Sequence, residues 1–302
     1  MQNHQMQNHQ MQSCKMPGDQ RHVYELQISI LVLFLICGTS ALSAAPFEMP
    51  NSEMHLMSTE TTQNRDYLLY IHTPEGYDQE KGNYPVLYLL DPWWDFPVVA
   101  GAQSGLVFDG VIPPMIIVGI GYAGENPDVD QLRERDYTPL SVPGNDNMGD
   151  GAKFLAFIES DIIPFVEANY RVDKQYRVLA GSSYGGLFTL FTLFEKPGLF
   201  QGHIAITPAV VWNNRWLFQR EAQFYNQQKE PRLNSNLYMS VGDQDQLENF
   251  TNEALAFNAL IKERPYKGFN YKFELRKNES HASVKLGSFS QGLRHAFSGY
   301  RR

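Results

Sequence analysis

The chain has 302 residues, 43% of them hydrophobic and 19% charged, with a formal net charge of -8. That is enough apolar material for one large core or two small ones, and one α/β domain is the simpler reading. The acidic balance and the lack of any basic run exclude a nucleic-acid partner, which would need a basic face to neutralise phosphates.

In chain order, Met1 to Gln10 is a repeated polar stretch that cannot pack a core, and Met11 or Met16 offers an alternative start. Residues 28–37 (ISILVLFLIC) are apolar without a charge, follow Lys15 and Arg21, and precede the small residues 40–45. This pattern reads as a secretory signal peptide cleaved near Ser43 or Ala44, with export to the periplasm and no membrane contact thereafter. An uncleaved leader acting as a membrane anchor is the alternative, although the run is short for a span. Both cysteines, Cys14 and Cys37, fall in this leader, so the mature chain is expected to form no disulfide. The domain reading is therefore 1–44 leader and signal peptide, 45–64 linker, and 65–302 catalytic domain.

Beyond the linker, strand-like runs at 67–72, 86–90, 115–120, 177–180, 203–206, 237–241 and 271–275 alternate with helical patterns. A helix is expected over 152–170, kinked by Pro164, and another over 253–263. The alternation implies a mostly parallel central sheet with helices on both faces, and the span between Ile206 and Leu237 is too short for a large lid domain.

The run from Arg177 to Phe188 (RVLAGSSYGGLF) places Ser183 between an apolar strand and a helix whose Leu187, Leu190, Phe191 and Phe194 recur at helical spacing. Gly181 and Gly185 flank the serine at two residues either side. A bare G-x-S-x-G is weak, but a strand-turn-helix around it is the layout of a nucleophile elbow, where the hydroxyl must stand clear of the backbone.

A serine nucleophile needs a base to take its proton and an acid to orient that base. His281, on the polar loop 277–283 after the last strand and before a helix expected from Ser283, is the candidate base. Asp245, after the strand 237–241, is the first choice for the acid. Asp243 and Glu248 lie on the same loop, and a Ser-His dyad without an acid stays open. One oxyanion donor would be the backbone N–H of Tyr184. Pro92 has no N–H, so the second falls to Trp93 or Trp94 in the loop expected at 91–94.

The runs at 84–91, 135–139, 181–187, 206–213 and 279–283 together resemble the putative esterase (esterase D-like) family of α/β-hydrolases, in the branch containing the siderophore esterases of ferric-enterobactin type. The likeness covers nearly all of the chain after the leader. It implies the α/β-hydrolase fold, a serine esterase with Ser183 as nucleophile and His281 as histidine, and a small-molecule ester substrate. The chain departs from many relatives at Pro92, where they carry glycine. No metal constellation or phosphate loop appears, and no cofactor is expected.

Trp94, Arg135, Trp212 and Arg215, with Arg133, are candidates for an aromatic and cationic mouth suited to an anionic catechol ester. The plainer reading is that the tryptophans cap the core and the arginines pair with acids such as Asp136. General short-chain, feruloyl and thioester hydrolysis are alternatives for the enzyme. A non-catalytic binding protein on the same fold is the alternative of another class. The sequence leaves the oligomeric state open.

Overall fold

The computed structural model describes residues 48–58, 65–247 and 249–301, so the expected leader, the segment 59–64 and Glu248 lie outside the described residues. Eight strands form one sheet: β1 (Ser52–Ser58), β2 (Asp66–His72), β3 (Tyr84–Leu90), β4 (Ile116–Tyr122), β5 (Val172–Ser182), β6 (Gly202–Ile206), β7 (Arg232–Gly242) and β8 (Lys267–Arg276). Their spatial order is β1-β2-β4-β3-β5-β6-β7-β8. β2 is antiparallel to both of its neighbours, and β3 to β8 run parallel. This is the mostly parallel sheet that the alternation of strands and helices implies, in the α/β-hydrolase arrangement that the family resemblance implies.

The strands read clearly because those at the centre are buried on both faces, every residue of β3, β4 and β6 being buried. Side chains alternate between two cores: Val86, Tyr88 and Leu90 pack on one face, Leu87 and Leu89 on the other. Helices α1 (Pro92–Phe108) and α8 (Val284–Ala296) cover the second face through Phe96, Val99, Phe289 and Leu293. The first face is covered by α2 (Val129–Tyr137), α3 (Gly151–Phe157), α4 (Ile163–Asn169), α5 (Tyr184–Glu195), α6 (Trp212–Asn226) and α7 (Phe250–Lys262).

Two expectations change. Residues 52–58, read as linker, form the edge strand β1, which pairs in full register with β2 from Ser52 opposite His72 to Ser58 opposite Asp66. Its run SEMHLMS lacks the aliphatic density of a central strand, because only one side of it meets the sheet. The expected helix over 152–170 is also not a kinked α-helix. A π turn (Ile158–Ile162) separates α3 from α4, with Ile163 N–H donating to the Ile158 carbonyl. Pro164 has no N–H to offer the Ser160 carbonyl, and the wider turn absorbs the break.

His203 illustrates what burial between the sheet and its helices does to a titratable group. Its Nδ1 stands 2.8 Å from Ser235 Oγ, whose own hydrogen goes to the Gln201 carbonyl at 3.2 Å, and burial pushes the His203 pKa down to about 3. Unfolding restores a value near 6.5, so below that pH the unfolded chain binds a proton that the folded chain refuses. Stability is therefore expected to fall as pH drops from about 6.5 toward 3, by at most about 1.4 kcal/mol per pH unit from this group. Urea unfolding across that range should show the decline. His203→Gln should flatten the part above about pH 4.5, leaving the contributions of His72 and His295, which burial also lowers, while below it Glu53, Asp150, Glu167 and Glu274, held low by their hydrogen-bond and ion-pair partners, add a decline of their own.

Candidate active site

β5 ends at Ser182, and Ser183 begins the turn into α5 with φ 57° and ψ -118°. A non-glycine residue rarely takes a positive φ, and such strain costs of order 1–3 kcal/mol. Three backbone hydrogen bonds hold it: Ser183 N–H donates to the Ile206 carbonyl, and the Leu187 and Ala209 N–H groups donate to the Ser183 carbonyl, all at 3.0 Å. The tightness of the turn explains Gly181, where a Cβ would stand 2.5 Å from the Gly185 carbonyl oxygen. The positive end of α5 faces the serine. The Tyr184 N–H that opens this helix has no acceptor among the described residues.

The acid and base loops are built against each other. The loop after β8 crosses so close to the end of β7 that a Cβ at Gly242 would collide with the Glu279 carbonyl. Gln244 N–H donates to that carbonyl at 3.0 Å, and Asn278 N–H donates to Asp243 Oδ1 at 2.7 Å. Asp243 thus clips the two loops together, which removes it from the choice of acids that the sequence left open. Asp245 instead meets the imidazole, with His281 Nδ1 donating to Asp245 Oδ2 at 2.8 Å. The Asp245 side chain is fully enclosed (0% exposed), while that of His281 keeps 28% exposure. Leu247 N–H holds Asp245 Oδ1 at 3.1 Å, and Phe250 packs edge-on against the imidazole at 5.1 Å. A carboxylate only accepts, so Nδ1 carries the hydrogen and Nε2 is left as the free base.

The segment 91–94, expected as a loop, is the first turn of α1. Pro92 stands at the helix start, where its missing N–H would have no helical partner in any case. Trp94 and Asp95 N–H groups donate to the Asp91 carbonyl at 3.2 Å, whereas Trp93 N–H has no acceptor among the described residues. Of the two candidate donors in this segment, the free one is Trp93.

Ser183 and His281 line a single cavity of about 230 Å³, together with Trp93, Trp94, Arg133 and Lys285. A larger cleft of about 900 Å³ beside His72 contains none of them. Of the four residues expected to bind substrate, only Trp94, 62% exposed, lines the cavity. Arg135 is taken by Asp136 at 2.8 Å, Trp212 is buried in the core, and Arg215 pairs with Glu253 at 2.6 Å. Three successive left-handed residues, Asn213, Asn214 and Arg215, start α6, so nearness in sequence to the β6 end does not bring Trp212 or Arg215 to the cavity. Arg133 does reach it, but its guanidinium is bound to both Asp91 oxygens at 3.1 and 2.8 Å. Burial alone would lower the Arg133 pKa, and the Asp91 carboxylate more than reverses this, holding it above its usual value.

Lys285 was missed, although it lies one helical turn beyond His281. Its Nζ is 2.7 Å from Asp95 Oδ1 and 3.8 Å from the centre of the Trp94 ring, and Asp95 Oδ2 accepts from the Ser182 hydroxyl at 3.4 Å. Burial raises the Asp95 pKa, and Lys285 opposes that shift. No group of three or more His, Cys, Asp or Glu among the described residues could hold a metal ion.

A strained serine between a parallel strand and a helix, sharing one cavity with a histidine whose Nδ1 meets a buried carboxylate, has the layout of a serine hydrolase-type site on an α/β-hydrolase scaffold. Residues 59–287 match the family model described as "Putative esterase"; the chain belongs to that family and is a carboxylic-ester hydrolase. Its relatives narrow the neighbourhood. The chain is 30% identical over 268 residues to the ferri-bacillibactin esterase BesA of Bacillus subtilis (strain 168), covering 83% of this chain and 91% of that one. It is 29% identical over 213 residues to a siderophore triacetylfusarinine C esterase of Aspergillus fumigatus, covering 67% and 70% respectively. The crystal structure of the BES protein from Bacillus cereus superposes with a TM-score of 0.74 at 26% identity, covering 85% of this chain and 99% of that one.

Lys285→Met should be strongly destabilising, by about 3–5 kcal/mol, because it strands a buried carboxylate at Asp95. Pairing it with Asp95→Leu should recover most of that loss, and urea unfolding of the single and double variants checks both expectations.

Proposed function

We propose that this hydrolase cleaves siderophore-type esters through an acyl-enzyme on Ser183. The observation that carries the mechanism is the convergence of Ser183 and the His281–Asp245 pair on one cavity. In this reading Ser183 Oγ attacks the ester carbonyl as His281 Nε2 takes its proton, and Asp245 stays ionised while stabilising the imidazolium. The oxyanion accepts from the free N–H groups of Tyr184 and Trp93, a contribution for which loss of one donor typically costs about 100- to 1,000-fold in rate. His281 then returns the proton to the departing alcohol. In the second half-reaction it takes a proton from water, which attacks the acyl carbon and regenerates Ser183.

The substrate reading rests on two relatives whose names specify siderophore esters. The cavity supports it in size: about 230 Å³ falls below the roughly 300–1,000 Å³ that enclose a drug-sized ligand. One aromatic acyl arm would enter it, with the remainder of a large ester lying over exposed Trp94. The same size suits a feruloyl or short aryl ester, which keeps a general esterase as the second reading. The free Trp93 N–H favours an enzyme over a non-catalytic binding protein, since Pro92 has not removed the second donor. Export is also proposed, supported by the apolar run 28–37 and the small residues after it.

Ser183→Ala should abolish both ester turnover and labelling by a fluorophosphonate, and undiminished labelling would overturn the nucleophile assignment. Across p-nitrophenyl, feruloyl, and apo and ferric catecholate-siderophore esters, the siderophore esters are expected to give the highest kcat/KM. Activity confined to short aryl esters would leave the general esterase. Amino-terminal sequencing of envelope-derived protein should start near residue 44, and a chain retaining Lys15 and Arg21 would refute export with cleavage.

A further inference from the structure

We infer that Thr207 is a positioning residue that acts on the reaction through Asp245, an inference that rests on the Ser183–His281–Asp245 reading above. Thr207 is the first residue after β6, is fully buried, and holds φ 39°. For a β-branched residue that conformation is a genuine outlier, worth asking what maintains it.

Its hydroxyl supplies an answer. Thr207 Oγ1 donates to Asp245 Oδ2 at 2.6 Å, the oxygen that also receives His281 Nδ1, and stands 3.3 Å from that nitrogen. The threonine has one hydroxyl hydrogen, and an ionised carboxylate can only accept, so that hydrogen points to Asp245. Toward His281 the oxygen then presents a lone pair, which favours the tautomer with hydrogen on Nδ1 and a free Nε2. Asp245 thereby receives three donors: this hydroxyl, His281 and the Leu247 N–H.

The backbone around Thr207 ties this network to the nucleophile. Thr207 N–H donates to the Ser240 carbonyl at 2.6 Å, on the strand that leads to Asp245. The adjoining Ile206 carbonyl and Ala209 N–H hold Ser183 in its strained conformation from outside its own helix. One short segment, 206–209, therefore fixes the serine through its main chain and the acid through a side chain. A threonine whose role was only to fill space would not need its hydroxyl on the acid.

The test uses Thr207→Val, which keeps the shape and loses the hydroxyl, Thr207→Ser, which keeps the hydroxyl, and each combined with Asp245→Asn in the full chain. Thr207→Val should lower kcat by about tenfold or more, the scale of a lost hydrogen bond to a charged group, with KM for an aryl ester within about twofold. Thr207→Ser should restore kcat to within about threefold of the wild type. In the Asp245→Asn background, Thr207→Val should add little further loss, because its effect passes through the carboxylate. The inference is overturned if Thr207→Val matches the wild type while Asp245→Asn is impaired. Equal losses in both backgrounds, or a serine variant as slow as the valine one, would also overturn it. If Asp245→Asn itself is fully active, the triad reading fails, and this inference fails with it. Melting temperatures of the same variants identify any loss that is due to unfolding.

Discussion

The backbone of Ser183 is held where an unconstrained serine would not stay. Its φ of 57° survives because the Ile206 carbonyl and the Ala209 N–H grip it from the next strand and the turn beyond. That grip depends on β5 and β6 lying side by side and parallel, with Ser182 opposite Ile206 in register. The parallel sheet places the ends of β3, β5, β6, β7 and β8 along one edge, and every group of the candidate site hangs from that edge. Slipping one strand against its neighbour would release the strain at the serine and separate Ser183 from His281 together.

Charge is handled at this edge by internal neutralisation. Arg133 is bound to Asp91 and Lys285 to Asp95, so two cations reach the cavity with their own counterions. Removing two charges from water is expensive unless geometry and further hydrogen bonds compensate. The bidentate fork of Arg133 and the Ser182 and Trp94 contacts around Asp95 and Lys285 provide those. These pairs also cross between elements: one joins the β3 end to α2, the other joins α1 to α8. The wall carrying Trp93 and the wall carrying His281 are therefore tied through charges, not only through apolar packing.

Much of this was legible in the sequence, for physical reasons. Central strands buried on both faces must be continuous runs such as YPVLYLL, and the elbow announces itself because so tight a turn leaves no room for a side chain at Gly181. Ser183, Asp245 and His281 could be ordered because each follows a recognisable strand. The edge strand β1 escaped because SEMHLMS has no strong pattern, and α1 escaped because Pro92 was weighed only for its missing N–H and not as a helix-start signal. Arg135, Trp212 and Arg215 were misplaced because closeness along the chain stood in for closeness in space. Thr207 had no local signature at all, since a threonine after a strand is ordinary until the strand beside it brings Asp245 within reach.

The crossing of the 277–283 loop over Gly242 has a consequence for how such a site can diversify. With no room for a Cβ between the two loops, the segments carrying Asp245 and His281 form one welded unit, and an insertion in either would have to move both. Variation in what the enzyme accepts must then be carried by the parts not welded. These are the first turn of α1 with its two tryptophans and the Arg133 side of the cavity, where a wall can change while the Asp245–His281 pair behind it stays fixed.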